Sequence, residues 1–301
     1  MQKIRVALDW TPNINHIGFF VAQEKGWFKN SNIDVELLNP ADDDYQTTPA
    51  KKVELGQADF ALSPTESVIS YRTKAKPFPM IAVAAIMQKD LSAIVVLEES
   101  DIHSPKDLDG KTYASYQARY EDQIVKSMIK NDGGEGTIHV DYPNKLGIWN
   151  TLVDGTYDST WVFMNWEGVV ASQKGIQIRA FTLEDYDIPY SYSPVIIADQ
   201  TNVESNTDLY STFITQVKAG YLFAGKHPEE AAKILHPHLP EHDQEIDLVK
   251  AIEYTAPYYG AERWGIMDEK VIEVFLNWLR EQNLETYPLS ASELITNKLL
   301  G

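Results

Sequence analysis

Apolar and polar positions alternate between two periods over the first two-thirds of the chain, and that alternation predicts repeated βα units. Residues 4–10 are apolar and β-rich enough to read as a strand. Ile17, Phe20, Val21 and Phe28 then recur at helical spacing over 16–29, with Gly26 interrupting near the end. Strands are predicted at 33–38 and 58–62, helices at 48–56 and 65–73, and two short buried strands at 80–86 and 93–97. The pattern then restarts. Ser104 and Pro105 have the composition of a helix start, followed by strands at 112–115, 138–142, 161–164 and 177–181. Helices at 120–130, 147–152 and 167–173 separate them. Strands divided by helices point to crossover units and a parallel sheet in each set.

After Pro194 the pattern turns mainly helical. Leu209, Phe213 and Val217 stand four apart, Pro228 opens a helix over 229–235, and Val271, Phe275, Trp278 and Leu279 mark a last amphipathic helix. The expectation is an α/β protein of two lobes, 1–88 with 192–301 and 89–191, with two crossover segments near 87–92 and 182–195, a central cleft and a helical C-terminus. Ligands of such sheets bind at the carboxyl ends of the strands.

Composition narrows the function. The chain has 44 acidic against 26 basic residues, a formal charge of −18. That disfavours nucleic acid and anionic membranes as partners. Without cysteine there is no disulfide, thiolate metal site or cysteine nucleophile. No apolar run is long enough to cross a bilayer. The start enters a strand pattern directly, so the expectation is either a cytoplasmic protein or a mature extracytoplasmic one whose leader has been removed. Nucleophile elbows, P-loops and dinucleotide fingerprints are missing. Gly133, Gly134 and Gly136 have loop spacing, and Asp42–Asp44 lacks the glycine and closing glutamate of a calcium loop. The histidines at 236, 238 and 242 sit among prolines and read as a surface loop. No cofactor and no metal is implied.

Two groups of aromatic and acidic residues stand at predicted strand ends. Asp9, Trp10, Asn13 and His16 follow the first strand; Phe163, Trp166 and Glu167 follow a strand of the second set. Rings give walls to a flat ligand and carboxylates accept its N–H groups. Trp10 as core, Asn13 as a turn former and Glu167 as a dipole-favoured helix residue are the competing assignments. Tyr116, before a helix start at 120, is a third candidate, with backbone N–H groups open to an anion.

The stretches 8–16, 22–28, 56–60 and 165–169 resemble the NMT1/THI5-like family, and most resemble its substrate-binding proteins of ABC importers. The resemblance implies a type II periplasmic-binding-protein fold and a receptor that captures a formylated or hydroxymethylated aminopyrimidine related to thiamin. It implies ligand contacts at Asp9, Trp10 and Glu167, a membrane permease as partner, an extracytoplasmic location and a monomer. Such receptors usually carry a tyrosine where Phe163 stands. The family also contains a pyrimidine synthase that uses a Schiff-base lysine, a donor histidine and a cysteine-rich motif; Ser63 and Ser67 occupy those two positions here. Glu66 offers a further carboxylate beside them. The alternatives are a receptor for another small molecule, such as a sulfonate, a flavin or another heterocycle, and an enzyme acting on a pyrimidine precursor; Arg119 is the one cation placed near the expected cleft.

Overall fold

The β-branched apolar runs become ten strands in two five-stranded sheets. The computed structural model describes residues 1–301. The chain divides into two compact units, one of 1–90, 191–277 and 285–301, the other of 91–190 and 278–284.

In the first unit the sheet is built from β1 (Gln2–Ala7), β2 (Ile33–Leu38), β3 (Phe60–Ser63), β4 (Met80–Ala85) and β10 (Val195–Asp199), in the order β2-β1-β3-β10-β4. β1 runs parallel to β2 and β3, whereas β10 is antiparallel to both β3 and β4. The second unit repeats the plan with β5 (Ser92–Leu97), β6 (Thr112–Ala114), β7 (His139–Asp141), β8 (Ser159–Phe163) and β9 (Ile178–Thr182), in the order β7-β6-β8-β5-β9. Here β5 is the reversed strand, antiparallel to β8 and β9. The expected all-parallel sheets are therefore mixed, and β10 lies in a region expected to be helical. Both differences have one cause: the strand that re-enters or opens a unit arrives from the other direction, and local periodicity says nothing about direction.

In the first unit the helix Ile17–Glu24 packs against the 20-residue helix Thr207–Lys226. The two backbones touch where both residues are glycine. A Cβ on Gly220 would lie 1.9 Å from the Gly18 carbonyl oxygen, and one on Gly18 would lie 2.2 Å from the Tyr221 ring. Phe19, Phe28, Phe60 and Phe213 fill the space beside this crossing, with Phe213 stacked on Phe28 and Phe60. Gly26, at φ +70°, breaks the predicted 16–29 helix so that Trp27–Asn30 forms a separate turn. On the helix Glu269–Glu281 the buried face runs through Ile272, Phe275, Leu276 and Leu279, while Val271 is exposed. In the second unit Ala93, Val95, Leu152 and Val162 make a core onto which Trp149 and Met164 pack.

Candidate functional site

Each unit has a candidate group of residues at the carboxyl ends of its parallel strands. In the first unit the register that pairs Ala7 with Ala61 carries Asp9 and Ser63 to the same sheet edge. Leu8 makes the last ladder bond of β1, donating its N–H to the Leu38 carbonyl. The chain then leaves the sheet, which is why the strand ends before Asp9 rather than at Trp10. The next residues fold into a 3-10 turn at Ile14–His16. Asn13 caps that turn: its side-chain oxygen accepts from the Asn15 N–H at 2.9 Å, and its amide nitrogen donates to the Thr11 carbonyl at 3.1 Å. His16 is completely buried. Its Nδ1 accepts from the Asn13 backbone N–H at 3.1 Å and its Nε2 meets Asp9 Oδ1 at 2.7 Å. The Tyr221 hydroxyl donates to the Asn15 carbonyl, tying the long helix to this turn. Of the residues expected here, Asp9 and Trp10 are half-buried, whereas Asn13 and His16 lie inside the turn with their polar groups engaged.

Sequence reasoning missed one ring. Tyr45 lies against Trp10 with centroids 5.4 Å apart and planes at 52°. Asp44 and Tyr45 both have left-handed backbones, at φ 52° and 59°. Two consecutive non-glycine residues there store strain that surrounding contacts must hold. Burial pushes the Tyr45 hydroxyl up. The Asp43 carboxylate anchors the segment on Lys52, itself buried, at 3.0 Å. The acidic run is thus partly structural. Glu66, at the first turn of the helix Thr65–Thr73, is 4% exposed.

In the second unit β6 and β8 are parallel, so Tyr116 and Glu167 follow strand ends on one edge. Glu167 opens the helix Glu167–Lys174 and turns back, its Oε2 accepting from the Phe163 N–H at 2.9 Å. Tyr116 and Phe163 are half-buried and Trp166 is 7% exposed. Burial pushes the Tyr116 hydroxyl far up, and the negative charges of Glu167 and then Glu121 add to it.

The backbone N–H groups expected to receive an anion already have an acceptor. Glu121 Oε1 accepts from the Tyr116 N–H at 3.0 Å and the Tyr113 hydroxyl at 2.7 Å, while Oε2 accepts from the Ala118 N–H at 3.0 Å. Ser115 Oγ takes the Gln117 N–H. The chain's own carboxylate fills the nest, which weakens the case for an anionic ligand there. Burial raises the Glu121 carboxyl, and the hydrogen bonds from Tyr113, Ala118 and Tyr116 oppose that rise. Glu121→Ala is expected to cost roughly 2–4 kcal/mol, because three donors lose their acceptor. The check is the midpoint of chemical denaturation, with faster amide exchange at Tyr116 and Ala118. Arg119 is exposed and lies over the Tyr120 ring at 5.0 Å.

No group of three or more acids and histidines is placed to hold a metal ion. The 236–242 stretch instead puts His238 flat on Phe20, centroids 4.4 Å apart. No helix is long and apolar enough to cross a membrane.

Comparison with known proteins adds four findings. The profile described as NMT1/THI5 like matches residues 13–231. A formylaminopyrimidine-binding protein of Halalkalibacterium halodurans is 28% identical, over 99% of this chain and 90% of its own length. A 4-amino-5-hydroxymethyl-2-methylpyrimidine phosphate synthase of Legionella pneumophila is 21% identical, over 78% of this chain and 73% of its own. Among solved structures, the alkanesulfonate-binding protein of Xanthomonas axonopodis pv. citri, bound to MOPS, superposes with a TM-score of 0.71 at 10% identity, covering 98% of both chains. That likeness concerns the fold: the two α/β units are those of periplasmic binding proteins.

Proposed function

We infer, for a chain that belongs to the NMT1/THI5-like family, that it is the substrate-binding receptor of an ABC importer and captures a thiamin-related aminopyrimidine. The observation that carries the reading is the end of β1. There the half-exposed Asp9 carboxylate has one oxygen held by His16 and stands next to Trp10, which packs on Tyr45. A flat heterocycle gains stacking area from the rings and donates its amino hydrogens to the carboxylate. We propose Asp9, Trp10, Tyr45, Tyr116, Phe163 and Glu167 as candidate contacts. Asn13 and His16 support Asp9 from within; Trp166 and Glu66 back the two edges.

Similarity to a formylaminopyrimidine-binding protein along almost the whole chain supports this ligand class. The proposal places the receptor outside the cytoplasmic membrane, as a monomer that delivers its cargo to a permease. Micromolar affinity requires about −8 kcal/mol. A ring of about 10–13 heavy atoms can supply that within the ceiling of about 1.5 kcal/mol per atom. Synthase chemistry is disfavoured by Ser63 and Ser67, which stand where the resemblance would require a lysine and a histidine.

Titration calorimetry with formylaminopyrimidine, 4-amino-5-hydroxymethyl-2-methylpyrimidine and MOPS tests the reading. Micromolar or tighter binding of a pyrimidine, with no product in the mass spectrum after incubation, is the expected result. Binding of MOPS with silence from both pyrimidines would overturn it. Trp10→Ala and Tyr45→Ala are each expected to weaken the pyrimidine by about 5- to 50-fold, the worth of one stacked ring. The same titration checks this, alongside an unchanged far-ultraviolet circular dichroism spectrum.

A further inference from the structure

The hydrogen bonds around His16 assign its ring proton. The Asn13 backbone N–H can only donate, so Nδ1, 3.1 Å away, carries a lone pair and no hydrogen. The proton therefore sits on Nε2 and is donated to Asp9 Oδ1 at 2.7 Å. The ring is held in this orientation. It is completely buried, its own backbone N–H donates to the Asn13 carbonyl, and the turn that carries it is tied to the long helix through the Tyr221 hydroxyl.

Asp9 Oδ1 is consequently an acceptor engaged from below. The side chain of Asp9 is 27% exposed, and Oδ2 receives no donor from the protein. In the carboxylate that oxygen can accept and has nothing to donate.

We propose that His16 is a positioning residue that sets the hydrogen-bond polarity of the site. By holding Oδ1 it presents Oδ2 as an acceptor, so the site selects ligands that bring an N–H to that point and gives nothing to those that lack one. The role of Asp9 as a ligand contact is taken from the function proposed above. The chemical class selected is a ring bearing an exocyclic amine, of which the 4-amino group of the thiamin pyrimidine is an example. His16 would act without touching the ligand.

The experiment is a cycle of two probes, 4-amino-5-hydroxymethyl-2-methylpyrimidine and its 4-deamino counterpart, against wild type, His16→Gln, His16→Leu and Asp9→Asn. Wild type is expected to prefer the amine by about 10- to 100-fold, the range of a charge-assisted hydrogen bond. His16→Gln can place an amide N–H where the imidazole donor stands and should keep that preference within about 3-fold. His16→Leu, which cannot donate, should bring the ratio of the two affinities to within about 3-fold of unity. In Asp9→Asn the His16 donor takes the carboxamide oxygen and leaves the NH2 outward, so the amine should lose about 10- to 100-fold on a folded protein. Long-range proton–nitrogen spectra of histidine-labelled wild type should show His16 as the Nε2–H form, a readout that does not depend on a leucine variant folding. Full amine preference in folded His16→Leu, or His16 found as the Nδ1–H form, would overturn the proposal. Equal affinity of wild type for both probes would remove the polarity and leave the receptor intact. Wild type that binds neither probe would instead retire the pyrimidine reading itself.

Discussion

Gly220→Ala is expected to lower the melting temperature by an amount on the order of 10 °C, or to leave the protein insoluble. The added methyl would stand 1.9 Å from the Gly18 carbonyl oxygen and within 3.0 Å of the Gly18 Cα. Alanine is the better helix former by about 1 kcal/mol, but that gain is small beside the clash. The obstacle is backbone on the facing helix, and no rotamer can turn it aside. The helices Ile17–Glu24 and Thr207–Lys226 must separate, which opens the packing of Phe19, Phe28 and Phe213 around the crossing. A cost above about 3 kcal/mol follows from overpacking that cannot relax locally. Gly18→Ala is a useful contrast. Its new Cβ meets the Tyr221 ring at 2.2 Å, a side chain that can be shortened, so Tyr221→Leu should recover part of the loss. No neighbouring side-chain deletion should recover Gly220→Ala. Differential scanning calorimetry decides: a melting point within about 3 °C of wild type would mean that the two helices do not cross as described.

The same crossing shows what could be read in the sequence and what could not. Period and composition were enough for most elements, because a buried β-branched run such as Ser92–Leu97 or a helix such as Thr65–Thr73 depends on its own residues. Strand direction was not legible. β10 carries Val195, Ile196 and Ile197 just after Pro194, a signal of a short buried strand; it inserts antiparallel between β3 and β4 because of where the chain has been. Among the proposed contacts, Asp9, Trp10 and Glu167 were legible from their position at predicted strand ends. Tyr45 was not, since its contact with Trp10 spans 35 residues of sequence and depends on two left-handed residues after an acidic run. The competition for hydrogen bonds was also hidden. Only coordinates show that Glu121 fills the N–H nest, or that the histidine turns inward to Asp9.

Each unit has a proposed contact carboxylate with one oxygen already held. Asp9 has one oxygen occupied by an imidazole N–H, and Glu167 has one occupied by the Phe163 backbone N–H. A carboxylate held at one oxygen loses less side-chain freedom when a ligand binds the other, because its orientation is already set. It also stays in place when the ligand leaves, whereas an unsupported acid on a strand end would swing among rotamers. At Asp9 that support leaves Oδ2 to accept one hydrogen bond from a ligand.

Glu167→Gln separates the two jobs of that residue. The glutamine carbonyl can still accept from the Phe163 N–H, so the turn from β8 into the helix Glu167–Lys174 should persist. The remaining group becomes an NH2, a donor where an acceptor stood. Affinity for the aminopyrimidine is expected to fall by about 10- to 100-fold, with a melting temperature within about 2 °C of wild type. Glu167→Ala should show a similar or larger loss of affinity and, in addition, a destabilisation of about 1–3 kcal/mol, since the Phe163 N–H would be left without its acceptor. Calorimetric titration and thermal melting of both variants provide the comparison. Unchanged affinity in the glutamine variant would confine Glu167 to holding the turn.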